Sequence, residues 1–297
     1  MEALERLAAI LDSVEELRSI VRTMKALSAV SIRQYERAVA SLAGYSRTVE
    51  MGLHVVLRQM PPAGPVARRH PAPEPIGIVV VGSDQGLCGR FNEELAEFLR
   101  AHLHARAESG AVRVVAVGAR MARLLDDASL PVDATLAVPG SAPAITSAVH
   151  QILQVADRWE RETPGLPVHL FYSRRRAGGR AHPMAQRLLP VDLHRFHRLE
   201  EEPWPSPVLP TFSMNRERLF SALVRQYLFV SVFRACAESQ AAEHASRLLA
   251  MQGASRNLDE RHADLLAELH RRRQEAITAE LLDVVSGYET LRTRPGP

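Results

Sequence analysis

Apolar and small side chains recur at alternating steps of three and four from Phe220 through Leu223, Tyr227, Val230, Phe233, Ala237, Ala241, His244, Leu248, Met251, Ser255, Leu258, His262 and Leu265 to Leu269. Such spacing lays one narrow seam along a helix. No proline interrupts residues 211–291, although the chain contains 19. The pattern therefore predicts one helix of roughly 120 Å at about 1.5 Å per residue. A compact domain of this size cannot cover a helix that long, so it needs a partner helix and, over part of its length, another protein. The middle of the seam is small or polar at Ala237, Ala241, His244 and Ser255, where a self-sufficient coiled coil prefers Leu and Ile. Loose packing is expected there. Periodicity alone leaves a plain structural coiled coil and a mobile shaft equally open.

Residues 2–58 are again free of proline, and Leu4, Leu7, Leu11, Val14, Leu17, Ile20, Met24 and Leu27 keep the same step. They predict a second helix of roughly 85 Å, softened at Gly44 and Gly52 and ended by the prolines that begin at Pro61. The two terminal helices are natural partners, and the domain between them lets them pair antiparallel without a tight turn. That middle region reads as strands and helices in alternation. Ile76 to Val81, Val112 to Val117 and Val168 to Ser173 are strands; Phe91 to Ala107, Ala119 to Asp126 and Ala144 to Glu162 are helices. Repeated strand, glycine turn and helix predict a doubly wound, largely parallel sheet. The expected fold is thus α/β, a long antiparallel coiled coil of N- and C-terminal helices plus a Rossmann-like parallel-sheet domain. Its expected parts are residues 1–60, 76–200 and 211–291, with a proline-rich linker over residues 200–210.

Composition alters this picture little. At 297 residues, 46% apolar and 24% charged, the chain is ordinary for a soluble protein of one or two domains. A net charge of +3 is too small to imply nucleic acid. Only Cys88 and Cys236 occur, far apart, which gives neither a disulfide framework nor metal-ligand spacing. The opening MEALERLAAI is an acidic amphipathic helix start, and no apolar run approaches the roughly eighteen residues that span a bilayer. The protein is expected in the cytoplasm, or held to a membrane by others.

Candidate chemistry concentrates at Gly82-Ser83-Asp84-Gln85-Gly86-Leu87-Cys88-Gly89, a glycine-rich turn between a strand and a helix. Such turns cradle phosphates. This one matches neither dinucleotide nor P-loop spacing, so tight backbone packing stands beside nucleotide binding as its explanation. Cys88 reads as a small buried hydrophobe or as an activated thiol near a helix start. No pair of the 12 histidines has metal-ligand spacing, and no carboxylate pair is marked as acid and base.

Three blocks carry a family likeness. They are Ser13-Val14 through Ile20-Val21-Arg22-Thr23-Met24-Lys25 with Ser28; Ser83 through Asn92; and Glu238-Ser239, Glu243, Arg247, Ala250-Met251, Ala254-Ser255 and Asn257, followed by Arg273-Gln274, Ile277-Thr278, Glu280-Leu281 and Ser286-Gly287. In order and spacing they span almost the whole chain, which resembles the gamma subunits of rotary F-type ATP synthases. Departures at Thr23, Gln85, Arg90 and His270 fit a diverged branch such as the alternate ATPases. The resemblance implies a central-stalk rotor without catalytic residues, cofactor or metal, coupling ion translocation to ATP synthesis or hydrolysis. Implied partners are the alpha and beta subunits of the catalytic ring, an epsilon subunit and the membrane c-ring, with no nucleic acid. Membrane association is expected only through the complex, at the cytoplasmic face of a bacterial membrane. The subunit-contact residues implied are Met24 and Lys25 on the shaft surface, Arg273, Gln274, Ile277 and Thr278 near the C-terminus, and Glu202 in the linker. Two other classes stay open on the residues alone: a nucleotide-binding α/β enzyme and a non-motor coiled-coil tether.

Overall fold

The computed structural model describes residues 2–58, 75–105, 110–176, 178–193, 196, 208 and 210–292. Helix α1 covers Glu2–Arg58; then come β1 (Ile76–Val81), α2 (Phe91–Ala105), β2 (Val112–Val117), α3 (Ala119–Asp127), β3 (Ala134–Leu136), α4 (Ile145–Glu162), β4 (Val168–Arg175) and β5 (Ala181–Leu189). Helix α5 runs Arg216–Arg292. Its start is capped by Asn215, whose Oδ1 accepts from Arg218 N at 3.2 Å. The chain divides into two compact units, Ser28–Leu249 and Met1–Leu27 with Ala250–Pro297. Both α1 and α5 contribute to each.

In Ser28–Leu249 the five strands lie in the order β3-β2-β1-β4-β5. β1, β2, β3 and β4 are parallel, and β5 returns antiparallel beside β4. Sequence periodicity did not mark β3 or β5. β3 has only three residues, and β5 is a half-exposed edge containing Pro183, which edge strands tolerate. The central strands are nearly continuous runs of buried β-branched residues, as expected when helices cover both faces. Alternation sends Val79, Val81, Val115, Val117, Leu170 and Tyr172 into one core with Trp159 of α4, Tyr35 of α1 and Val232, Ala235 and Cys236 of α5. Ile78, Val80, Val114, Ala116 and Phe171 face Leu95 and Leu99 of α2 and Met121 and Leu125 of α3.

Two expectations about α5 are corrected here. Its polar middle is not an underfilled helix-helix seam: Ala235 through Glu243 are all buried, because in this unit the helix lies against a sheet and not against a helix alone. Within Arg216–Ser286, α5 also has a stretch long and apolar enough, by length and composition alone, to cross a membrane. Its apolar residues around Val230 to Cys236 instead serve as core for the sheet.

In the other unit, α1 and α5 pair antiparallel. Lys25 meets Ser255 (3.4 Å), Arg18 meets Asp259 (2.7 Å) and Glu15 meets His262 (3.0 Å), so one number rises as the other falls. Met251, Ser255, Leu258, His262, Leu265 and Leu269 form the α5 seam, as the spacing predicts. On α1 the register departs from expectation after Val14. The inward residues are Arg18, Val21 and Lys25 beside the expected Met24, whereas Leu17, Ile20 and Leu27 stand exposed at 49%, 54% and 62%. Long basic side chains occupy seam positions because their aliphatic stems cover apolar surface while the charged heads reach a partner.

The register difference is directly measurable. Val21→Ala should lower unfolding stability by about 1–3 kcal/mol, the transfer and cavity cost of two buried methyl groups. Leu17→Ala should stay within about 0.5 kcal/mol. Urea unfolding of the purified chain, followed by helical ellipticity, checks both; equal losses would return Leu17 to the seam.

Candidate functional site

In a doubly wound sheet, ligands bind at the carboxyl ends of the strands, where the strand order reverses. Here that point lies between β1 and β4. Their ladder pairs as far as Val80 with Phe171, and beyond it the strands separate around a side chain of α5. Ser239 Oγ donates to Val81 O at 2.8 Å and accepts from Ser173 N at 3.4 Å. Ser239 is wholly buried. The chain's own helix therefore fills the crevice and satisfies both backbone groups that splaying would orphan.

The glycine-rich turn is held to the same helix. Asn92 accepts from Ser83 N at 3.1 Å and donates to Ser83 Oγ at 2.8 Å. Asp84 accepts from Ala119 N (2.9 Å) and Val138 N (3.0 Å), tying the turn to α3 and to the loop after β3. Gly82 and Gly118 are there for close approach: a Cβ on either would sit 2.5 Å from Met121 Cβ or from Ser83 O, and Gly118 also has φ 116°. From α5, Arg247 donates to Gly86 O at 3.4 Å and to Glu243 Oε1 at 2.6 Å, and Gln240 donates to Glu243 Oε2 at 3.1 Å. Cys88 is buried against Phe91 and Ala242, and burial pushes its thiol up. It behaves as a packed hydrophobe.

Charge at this joint is arranged by burial. Desolvation pushes the Glu243 carboxyl up, while Arg247 and Gln240 pull it back toward ionisation. His244 is pushed down to about 4, first by burial and then by the neighbouring guanidinium of Arg247. A neutral imidazole suits its place, 3.3 Å from Arg247 through Nδ1 and stacked on Tyr35 at 5.7 Å between ring centroids. The Tyr35 hydroxyl donates to Pro139 O at 2.9 Å, so α1, α5 and the loop after β3 meet at one pair of rings. Sequence reasoning counted Glu238, Ser239, Glu243 and Arg247 among family-like residues without a role. The available signal was a run of polar side chains, Glu238 to Arg247, on an otherwise apolar helix.

The implied contact residues are not brought together. Met24 and Lys25 are half-buried on α1, with Lys25 turned toward Ser255. Arg273, Gln274, Ile277 and Thr278 are exposed on α5, and the Thr278 hydroxyl donates to Gln274 O of its own helix at 2.8 Å. Arg271 and Arg272 hold Glu268, and Arg271 also holds Glu275. Ile277, Leu281, Leu282, Val284 and Val285 leave the end of α5 apolar and exposed. Glu202 lies outside the described residues.

A doubly wound sheet whose ligand crevice is sealed by its own C-terminal helix, with that helix paired antiparallel to the N-terminal one, defines the class. The family model described as ATP synthase matches residues 3–291. The ATP synthase gamma chain of Salinibacter ruber is 30% identical over 300 residues, covering 95% of this chain and 96% of that one. That of Syntrophus aciditrophicus is 29% identical over 294 residues, covering 98% and 99%. Among solved structures, a chain of the Euglena gracilis mitochondrial ATP synthase superposes with a TM-score of 0.61 at 16% identity, covering 100% of this chain and 97% of its own length, a likeness of fold. The chain belongs to the ATP synthase gamma-chain family.

Two outcomes follow from the joint. Arg247→Ala leaves the buried Glu243 without its cation and should cost about 3–5 kcal/mol in urea unfolding. Loss below about 1 kcal/mol would show the pair to be solvated. For His244 the folded pKa lies below the ordinary value, so its contribution is present above about pH 6.5 and is lost as pH falls toward 4. Between those limits the wild type should lose stability faster than His244→Phe, by up to about 1.4 kcal/mol per pH unit. Parallel stability curves for the two proteins would contradict a neutral His244.

Proposed function

We propose that this protein is the central-stalk rotor of a membrane-bound rotary ATP synthase, transmitting work between ion translocation and the catalytic subunits without performing bond chemistry itself. The match to gamma chains over residues 3–291 carries this function. The sealed crevice supports the non-catalytic part, since the position where a doubly wound enzyme would hold its ligand is occupied by Ser239.

The partners are the alpha and beta subunits of the catalytic ring, an epsilon subunit and the c-ring, and the protein sits peripherally at the cytoplasmic face of a bacterial membrane through that complex. Exposed apolar residues on α1 and near the end of α5 support contact with other subunits, because faces of this kind are rarely left to water along a helix. Met24 and Lys25 on α1, Arg273, Gln274, Ile277 and Thr278 on α5, and Glu202 in the linker are assigned to those contacts. Arg273 presents a planar fork suited to a carboxylate on a catalytic subunit. Gln274 adds an amide one position on, while Thr278, committed to its own helix backbone, shapes the same face.

In the assembled complex, Arg273→Ala with Gln274→Ala should remove about 1.5–3 kcal/mol of charge-assisted contact and slow both ATP hydrolysis and ion pumping. Assembly and fold should survive, since both positions are exposed. Unchanged hydrolysis and pumping in reconstituted vesicles would refute the contact assignment.

A further inference from the structure

A polar cavity of about 110 Å³ lies within Ser28–Leu249, walled by α1, β4, β5 and α5. Tyr172, Arg174, Gln186, Arg234, Glu50 and Glu238 line it. Glu238 is only 8% exposed and lies between the two arginines, with Oε1 3.3 Å from Arg234 Nε and Oε2 3.6 Å from Arg174 Nε. Both guanidiniums approach it through Nε and stay about half exposed, at 51% and 54%, which leaves donors available to solvent or a ligand. Glu238 Oε2 is buried and accepts no well-formed hydrogen bond among the described residues, although the Tyr172 hydroxyl also faces this carboxylate. A buried acceptor in that condition calls for a donor from whatever fills the space.

Beside the two carboxylates Glu50 and Glu238, an occupant that offers anionic acceptors to the two guanidiniums and one hydrogen-bond donor to Glu238 would complete the site. Hydrogen phosphate brings both, in its anionic oxygens and its P–O–H group. Sulfate has the same shape and charge but no proton to donate near neutral pH. The cavity has room for several waters or for one ion of this size. We propose that this cavity binds inorganic phosphate as hydrogen phosphate, with Arg174 and Arg234 gripping its anionic oxygens and Glu238 accepting a hydrogen bond from its P–O–H. This site stands apart from the rotor assignment and is tested on the chain by itself.

The test is isothermal titration of the purified full chain with potassium phosphate and, at matched ionic strength, with potassium sulfate and ATP. Saturable phosphate binding is expected, with sulfate about tenfold weaker or more, because sulfate leaves Glu238 Oε2 unsatisfied. Arg174→Ala, at a side chain 54% exposed, should keep the fold and weaken phosphate about tenfold or more. Glu238→Gln, whose amide offers a donor as well as an acceptor, should narrow the gap between phosphate and sulfate, a change that structural damage would not produce. Should that variant fail to fold, the Arg174→Ala titration decides. No saturable phosphate heat means water only and overturns the proposal. Equal binding of phosphate and sulfate, phosphate binding unmoved by Arg174→Ala, or binding of ATP without binding of phosphate would each overturn it too.

Discussion

One hydroxyl group sets the character of the α/β domain. Where β1 and β4 part, their backbone groups must find partners, and Ser239 of α5 supplies both. A doubly wound sheet usually leaves this place for a ligand. Here it is closed from within, and the closure requires the helix to bring polar side chains into a buried environment. Gln240, Glu243 and Arg247 follow from that requirement, since each burial is tolerable only with the others present. The glycine-rich turn is shaped by the same constraint: it packs against α3 through Gly82 and Gly118 and is clasped from α5 at Gly86.

The joint makes a helix and a sheet mechanically one body. Apolar contacts from Val232 to Ala241 hold α5 on the face of the sheet, and directed hydrogen bonds fix its rotation about its own axis. Apolar packing alone resists separation but specifies rotation weakly; buried charge pairs and a serine in the ladder specify it strongly, because any other angle leaves them unpaired. For a rotor of the ATP synthase gamma-chain family, that is the property a drive connection needs.

Much of this was legible in the residues. Proline-free three-four repeats identified both long helices, and the β-branched runs 76–81, 112–117 and 168–173 identified the parallel strands. β3 and β5 escaped because a three-residue strand and a half-exposed edge carry little periodic signal. The α1 register escaped for a different reason. Leu17, Ile20 and Leu27 are apolar and exposed, while Arg18 and Lys25 are charged and turned inward. Hydrophobicity reports burial in the working assembly, so a helix with more than one partner shows more than one apolar stripe. The joint itself was visible only as family-like positions. Small and polar residues in mid-seam signalled a poor helix-helix contact, and nothing local to the sequence indicated that a sheet was the partner.

The central claim is that α5 and the α/β domain turn together as a rotor. Both native cysteines, Cys88 and Cys236, are buried, so Arg100→Cys on the exposed face of α2 offers a selective attachment point for a bead. With the catalytic ring of the assembled complex fixed to a surface, ATP should drive stepwise rotation of that bead in one direction. A stationary bead on a complex that continues to hydrolyse ATP would contradict the account.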